Sequence, residues 1–194
     1  MTSERLPRVL SAIDEINAQD PNLVEVDGLS QPKELLYGHH MTKCLDTYWP
    51  DSNELLQIAV RAQHIKRWHL KRTEFDIGKA GYLKWRKEQG KFHAQLTKSI
   101  MLDKGFSEED SEATAAILRK EKLKTNSNTQ TLEDVACLVF LTYYFDEFAA
   151  KHSEEKIIRI VQLTWRKMSD QAHDIALSLT LPAHLGSLVQ KALA

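Results

Sequence analysis

The chain has 194 residues and a mass of 22.3 kDa, which is enough for one domain with a buried core. Charged residues make up 27% of the chain, hydrophobic residues 42%, and the formal net charge is −1, a balance typical of a soluble globular protein. No apolar run approaches the roughly 20 residues that cross a bilayer, so we expect no membrane partner. Cys44 and Cys137 are too few for a disulfide framework, and residues 1–8 lack the apolar segment of a signal peptide. We therefore expect a cytoplasmic protein.

The scarcity of helix-breaking residues indicates a helical protein. The chain contains seven glycines and five prolines, and neither residue type occurs between Phe106 and Leu181. Apolar residues recur at helical spacing along the chain. In chain order, the predicted helices cover residues 3–18, 32–48, 52–69, 81–89, 92–103, 107–120, 132–150 and 153–179. We predict an all-α fold in which residues 1–194 form a single compact helical bundle.

Local signals predict several helix ends and connections. Ser3 and Ser107 are the expected N-caps, and Asp110 forms an approximate capping box with Ser107. A loop through Gly28 is expected to join the first two helices. The helix over 132–150 carries an apolar run on every side, which predicts a place in the middle of the bundle.

Positive charge is concentrated in residues 61–98, where eleven Lys or Arg residues face three acidic residues. The resulting local charge of +8 attracts phosphates, carboxylates or nucleic acid. A solvated helix face explains the same pattern, and charge alone leaves both interpretations open.

A polar face of the predicted third helix is the first candidate site. At 100° per residue, Gln57, Arg61, His64 and Trp68 share this face, beside an apolar stripe. An imidazole can transfer protons or bind a metal, and a guanidinium can hold a phosphate or carboxylate bidentately. We therefore predict a site for an anionic or planar ligand. The alternative is a polar cluster that only joins helices.

Two further histidines are candidate ligands or bases. His40 flanks the apolar stripe of the second helix, whereas His39 points further away. His93 falls at the start of the predicted fifth helix, where the helix dipole lowers a histidine pKa and keeps the ring neutral. Surface exposure of the His39–His40 pair and helix capping by His93 are the alternatives.

Two acidic residues, Glu133 and Asp134, stand at the predicted entry of the buried helix over 132–150. Thr131 and Asp134 form a capping pattern, which alone explains one of the acids. The same position suits a metal ligand or a general base, so both interpretations stay open.

Aromatic and basic residues occur together in the basic region. Trp85 with Arg86, or Trp68 with Arg67, is a pair that can stack on a base and hold a phosphate. Packed rings with charges directed to solvent are the alternative. The sequence contains no P-loop, dinucleotide glycine motif, nucleophile elbow or HExxH motif.

Several strings of the sequence resemble an uncharacterised family, domain of unknown function 4202. They are Arg61-Ala-Gln-His64, Arg67-Trp68, Ala80-Gly-Tyr-Leu83, Trp85-Arg86, Phe92-His93-Ala94, Leu132-Glu-Asp-Val-Ala-Cys-Leu-Val-Phe-Leu141 and Trp165-Arg-Lys-Met168. The resemblance covers residues 5–194. The family has no established activity, and the resemblance implies a compact helical protein.

The sequence also resembles, more distantly, the HD-domain superfamily of helical, metal-dependent phosphohydrolases. His40, His64 and Asp134 fall in the order of that family's His, His-Asp and Asp ligands, and His93 falls where some members place another His. The resemblance implies a divalent metal that activates water against a phosphoester. His64 is followed by Ile65, where the family has Asp.

The leading hypothesis is an HD-like enzyme that hydrolyses a phosphorylated or nucleotide-like small molecule. In this hypothesis His64 is metal ligand or general base and His40, His93 and Glu133 or Asp134 complete the site. The expected ligand-binding residues are Gln57, Arg61, Arg67, Trp68, Trp85 and Arg86. The main alternative is a non-catalytic module whose basic region, residues 61–98, binds RNA, another anion or an acidic protein. A helical scaffold without a ligand is the third possibility.

Overall fold

A computed structural model of the chain describes residues 4–194, and within them it contains ten α-helices and one small antiparallel hairpin. The predicted all-α fold is confirmed. The elements are α1 Arg5–Asn17, β1 Leu23–Val26, β2 Leu29–Pro32, α2 Lys33–Tyr48, α3 Glu54–Arg61, α4 Lys79–Asp103, α5 Glu108–Leu118, α6 Ser127–Val139, α7 Phe145–Ala150, α8 Glu154–Trp165, α9 Asp170–Ser178 and α10 Ala183–Leu193. The predicted cap Ser3 lies outside the described residues.

The helices group into two compact units, one that ends at Thr129 and one that begins at Gln130. The prediction of a single domain over residues 1–194 stays a prediction. In the described part of the chain, no helix is both long and apolar enough to cross a membrane.

The first unit is built around α3, which contacts α1, α2 and α5, while α4 packs along α5. Ile58, Ala59 and Val60 of α3 are all fully buried, because neighbouring helices cover it on several sides. Burial of one such isoleucine stabilises a fold by about 2 kcal/mol. Further core side chains come from α1, α2 and α4, among them Ile13, Met41, Leu45 and Met101.

The predicted loop between the first two helices contains the hairpin β1–β2, which the sequence interpretation missed. Asp27 and Gly28 adopt positive φ values of 52° and 77°, the conformation that a tight two-residue hairpin turn requires. Leu23 pairs with Pro32, and Val26 pairs with Leu29. The Asp-Gly pair was the available signal for this turn.

The predicted helix over 52–69 is wrong in its second half, because α3 ends at Arg61. The chain then forms turns, with a short 3₁₀ segment at Arg67–His69. Lys66 takes a left-handed conformation with φ 50°, and its backbone N–H donates to Oδ1 of buried Asn17 at 2.9 Å. A side chain 49 residues away thus satisfies the backbone here, which helical periodicity does not predict.

The two helices predicted over 81–89 and 92–103 are one helix, α4, which passes through Gly90 without a break. A Cβ at Gly90 would lie 3.7 Å from the carbonyl oxygen of Leu118, so α4 and the end of α5 approach closely there. His93 therefore lies in the middle of a helix, and the predicted effect of a helix N-terminus on its pKa is wrong.

The second unit contains contacts among α7, α8 and α10, with Phe145, Ile157, Val161 and Leu185 buried. The chain between α6 and α7 forms a π-helical turn over Phe140–Tyr144.

The predicted helix over 153–179 is two helices, α8 and α9, and α10 was not predicted. Ser169 caps α9 by accepting a hydrogen bond from the backbone N–H of Ala172 at 3.3 Å. The carboxylate of Asp134 in turn accepts from the N–H of Ser169 at 2.8 Å and from its hydroxyl at 2.5 Å. These contacts fix the break between the helices.

Candidate anion-binding and acid–base site

A pocket of about 500 Å³ lies within the first unit. The turn after α3 contributes Gln63, His64 and Arg67 to its wall, α4 contributes a face between Trp85 and His93, and the end of α5 contributes residues 118–121. This volume suits a small organic molecule rather than a macromolecule.

The lining of the pocket is strongly basic. One lining residue, Glu121, is acidic, and six are Lys or Arg. These cations are Arg67, Arg86, Lys87, Lys91, Arg119 and Lys120. Some of this charge is neutralised locally, since Arg119 contacts Glu112 and Glu121 and Lys91 contacts Glu88. A concave surface with such an excess of cations concentrates anions.

His64 is held from two sides at the pocket wall. Its Nδ1 lies 3.0 Å from Oε2 of Glu34 in the first turn of α2. The ring of Tyr37, one turn further along α2, stacks on the imidazole with a centroid distance of 3.9 Å and an angle of 11°. The His64 side chain is 21% exposed. The imidazole is thus fixed in orientation while Nε2, the nitrogen opposite the carboxyl contact, is left for a ligand or proton.

The position of Glu34 depends on close packing around α2. The backbone N–H of Glu34 donates to Oδ2 of buried Asp20 at 3.0 Å, which ties the first turn of α2 to the segment after α1. Gly38 allows α2 to approach α3, since a Cβ there would lie 3.2 Å from the carbonyl oxygen of Arg61.

Burial disfavours the ionised form of both members of the Glu34–His64 pair. It raises the pKa of Glu34 from 4.5 to about 7, against a smaller opposing effect of Arg67 and Lys33. Burial also lowers the pKa of His64 well below 6.5, and the nearby cations Arg67, Lys120, Arg86 and Lys33 lower it further. His64 is therefore neutral at neutral pH and able to accept a proton.

His93 is a second histidine on the pocket wall. It is 3% exposed, and its ring centroid lies 6.3 Å from that of His64. Burial lowers its pKa well below 6.5, with smaller contributions from His64 and Arg67. Its Nε2 is buried and has no hydrogen-bond partner.

Contacts with α4 fix the chain segment that carries Arg67. The side-chain amide of Gln89 donates to the carbonyl oxygens of Arg67 at 2.8 Å and Leu70 at 3.1 Å. The indole N–H of Trp85 also donates to Leu70, at 2.9 Å, and the Arg67 guanidinium lies 4.8 Å from the centre of the Trp85 ring. This packing holds a cation beside His64.

The family model described as "Domain of unknown function (DUF4202)" matches residues 7–189. The chain belongs to this family. No curated protein and no solved structure matches the chain. Every residue of the pocket lies inside the matched range, so the site belongs to the family domain of this DUF4202 protein.

Five of the predicted site residues come together at the pocket. They are His64, Arg67, Trp85, Arg86 and His93.

Three others do not line the pocket, because α3 ends at Arg61 and the predicted shared face does not form. Arg61 pairs with Asp14 at 2.9 Å, and Gln57 donates to the carbonyl oxygen of Ser52 at 2.7 Å. Trp68 lies in the 3₁₀ turn after the helix.

The predicted ligands from other helices also have different surroundings. His40 is half-buried on α2 and does not line the pocket, while its neighbour His39 is exposed, as expected. Glu133 and Asp134 lie in the second turn of α6, since that helix begins at Ser127 rather than at the predicted residue 132. Asp134 contacts Ser169 and Gln130, and Glu133 lies 3.6 Å from the amino group of Lys167.

The metal ligands implied by the HD resemblance are His40, His64, His93 and Asp134. Among residues 4–194, no three His, Cys, Asp or Glu side chains are grouped so that they could hold a metal ion. The described residues therefore do not fit the expected divalent metal.

The sequence interpretation missed Glu34, Gln89 and the cations at the end of α5. A signal for Glu34 was present, because it stands three and seven residues before Tyr37 and Met41 on the inward stripe of α2. Gln89, by contrast, has a role that depends on a loop 19 to 22 residues earlier, which no local pattern indicates.

Proposed function

We propose that this protein is a phosphohydrolase that acts on a phosphorylated small molecule in the basic pocket, with His64 as general base. The observation that carries the proposal is His64, paired with Glu34, on the wall of a pocket lined by six Lys or Arg residues. A neutral imidazole oriented by a carboxyl group is a common form of general base.

The proposed reaction uses each of these groups in turn. Arg67, Arg86 and Lys120 bind the phosphate oxygens and stabilise their negative charge. Glu34, when ionised, accepts a hydrogen bond from the Nδ1–H of His64, so that Nε2 of the neutral ring carries the lone pair. Nε2 removes a proton from a water molecule as its oxygen attacks phosphorus. The bond to the alcohol breaks, and the departing oxygen receives the proton from the imidazolium, which returns His64 to its neutral form.

Phosphate release from a panel of phosphate monoesters tests the proposal. We expect His64→Gln to lower kcat/KM by about a thousandfold, since general bases contribute a hundredfold to ten-thousandfold. His69→Gln is the matched control, because His69 is an exposed histidine in the same segment but does not line the pocket. Full activity of the His64 variant, with both variants folded, would contradict the proposal.

A non-catalytic module that binds RNA or another polyanion is the second candidate. It is favoured by exposed cations of the basic region outside the pocket, among them Lys71, Lys79 and Lys84. Such binding weakens steeply with salt as counterions are released. A linear fall of log affinity for single-stranded RNA with log salt, together with no phosphate release from any ester, would favour this candidate.

A further inference from the structure

Two residues that line the pocket each carry a buried hydrogen-bond acceptor without a donor. The acceptors are Nε2 of His93 and Oε1 of Gln89, and each of the two residues is only 3% exposed. The two residues are four apart on α4, which places them on the same face, one turn from each other.

The contacts on the other side of each residue define these atoms as acceptors. The amide nitrogen of Gln89 donates to two carbonyl oxygens, so the remaining atom of the amide is its oxygen. The backbone of Gln63 raises the pKa of His93, the direction expected where a ring N–H faces a carbonyl oxygen. Since Nε2 has no partner, we assign this N–H to Nδ1, and in the neutral ring Nε2 then carries a lone pair.

The pocket therefore combines two requirements for its ligand. The cations around the wall require an anion, whereas the two buried acceptors require neutral O–H or N–H donors. A ligand that lacks such donors leaves both acceptors desolvated and unpaired, and sites of this kind discriminate strongly against it.

The aromatic rings of the site favour hydroxyl donors over those of a nucleobase. One face of Trp85 is covered by the Arg67 guanidinium and one face of His64 by the Tyr37 ring. Trp68, the other ring expected to stack on a base, does not line the pocket. One face of each of these two rings is thus unavailable for stacking on a base.

We infer that the ligand is the phosphate ester of a polyhydroxylated molecule, such as a sugar phosphate, whose hydroxyl groups donate to His93 and Gln89. This inference rests on the proposed function for the place of the phosphate among the cations. It makes His93 and Gln89 the residues that determine specificity, while His64 performs the chemistry.

Calorimetric titration of the wild-type protein with two probes tests the inference without any substitution. Ribose 5-phosphate carries the hydroxyl groups, and methyl phosphate carries the same anion without them. We expect ribose 5-phosphate to bind at least tenfold more tightly than methyl phosphate. A tenfold difference in affinity corresponds to about 1.4 kcal/mol of binding free energy. Equal affinities within twofold, or no binding of either probe, would overturn the inference.

Adenosine 5′-monophosphate, as a third probe, separates a sugar phosphate from a nucleotide. Because Trp68 does not line the pocket and one face each of Trp85 and His64 is covered, we expect it to bind no more tightly than ribose 5-phosphate. A tenfold preference for the nucleotide would overturn the assignment to a sugar phosphate.

The substitution His93→Phe removes the acceptor and keeps an aromatic ring. We expect it to reduce the affinity for ribose 5-phosphate towards that for methyl phosphate, because Gln89 alone then accepts from the hydroxyl groups, while the affinity for methyl phosphate stays unchanged. His69→Phe is the same substitution at an exposed histidine outside the pocket, and it should keep the preference. If the buried substitution prevents folding, the wild-type comparison of probes still decides.

Phosphate release, measured separately, distinguishes the failure of this inference from that of the proposed function. A preference for ribose 5-phosphate without hydrolysis of any ester supports the inference and contradicts the hydrolase. Hydrolysis of esters with no preference for hydroxylated ones supports the hydrolase and overturns the inference.

Discussion

Two polar clusters with similar side chains, one in each unit, differ in how completely their hydrogen-bonding groups are satisfied. In the second unit, the carboxylate of Asp134 accepts from Ser169 and Gln130, and His173 stacks on Trp165 and bonds to its carbonyl oxygen. Within residues 130–194, all of which the structure describes, no buried side-chain nitrogen or oxygen lacks a partner. In the first unit, His93 and Gln89 each carry an unpaired acceptor on the wall of a pocket.

The difference separates a structural cluster from a binding site. A buried acid whose acceptors are all used holds helices together and has no capacity left for a ligand. Unpaired buried acceptors in residues that line a cavity have a free-energy cost in the absence of a ligand, which a donor group of a ligand would remove. Both clusters contain the residue types of an active site, so residue type alone does not distinguish them.

The largest expected effect on stability comes from the satisfied cluster. Asp134→Ala removes the acceptor of three hydrogen bonds and leaves the donors of Ser169 and Gln130 unpaired. We expect a loss of about 4 kcal/mol in the free energy of unfolding, measured by urea denaturation. Asp170→Ala, at an exposed acid of the same helix end, is the control and should cost far less. A loss below about 1 kcal/mol would remove the distinction between the clusters.

A second test concerns Glu34 and the pH dependence of stability. The folded protein keeps the Glu34 proton up to about pH 7, whereas an ordinary glutamate loses it near 4.5. The stabilisation from this proton is therefore complete below pH 4.5 and is lost as the pH rises to about 7.

The substitution Glu34→Gln removes this titration. Comparison of the variant with the wild type therefore measures how much the Glu34 proton contributes to stability. The shift of the Glu34 pKa corresponds to about 3 kcal/mol, so the stability of the wild type relative to the variant should fall by that amount between pH 4.5 and 7.5. His64 contributes a slope of the opposite sign and contacts Glu34, so the same comparison in a His64→Gln background removes its contribution. Denaturation at a series of pH values checks the prediction, and parallel curves for the two proteins would show that Glu34 titrates normally.

The elements that sequence reasoning predicted well are those fixed by neighbours along the chain. Ser107 caps α5 by accepting from the N–H of Asp110 at 3.0 Å, as expected from their spacing. The extent of α2 was predicted to within one residue, because its apolar stripe and the following Pro50 are local signals. His64 was recognised as a candidate because it lies beside an apolar stripe, whereas His93 was selected for a predicted helix start that the structure does not contain.

The features that were missed depend on contacts between distant residues. The end of α3 depends on the bond from Lys66 to Asn17, and the orientation of His64 depends on Glu34, 30 residues earlier. Projection of Arg61 and His64 onto one helix placed them together, whereas Arg61 in fact pairs with Asp14. Helical periodicity describes a face of one helix, but it contains no information on which partner that face meets.

The smallest expected effect is on anion binding. It compares the loss of a positive charge at the pocket with the loss of a positive charge in the second unit. Arg86 is exposed on α4, lies 5.9 Å over the ring of Tyr82 and lowers the pKa of His64. We expect Arg86→Ala to weaken the binding of methyl phosphate about tenfold, because one charge-assisted hydrogen bond contributes 1.5 to 3 kcal/mol.

Arg159→Ala is the matched control, since Arg159 is an exposed arginine of α8 in the second unit. Both substitutions should change the free energy of unfolding by less than about 0.5 kcal/mol, because both side chains are on the surface. Calorimetric titration of the two variants compares them directly. If they lose affinity equally, the anion responds to the net charge of the protein rather than to this pocket, and the contrast between the two units no longer locates the binding site. If only the Arg86 variant loses affinity, the pocket itself binds the anion.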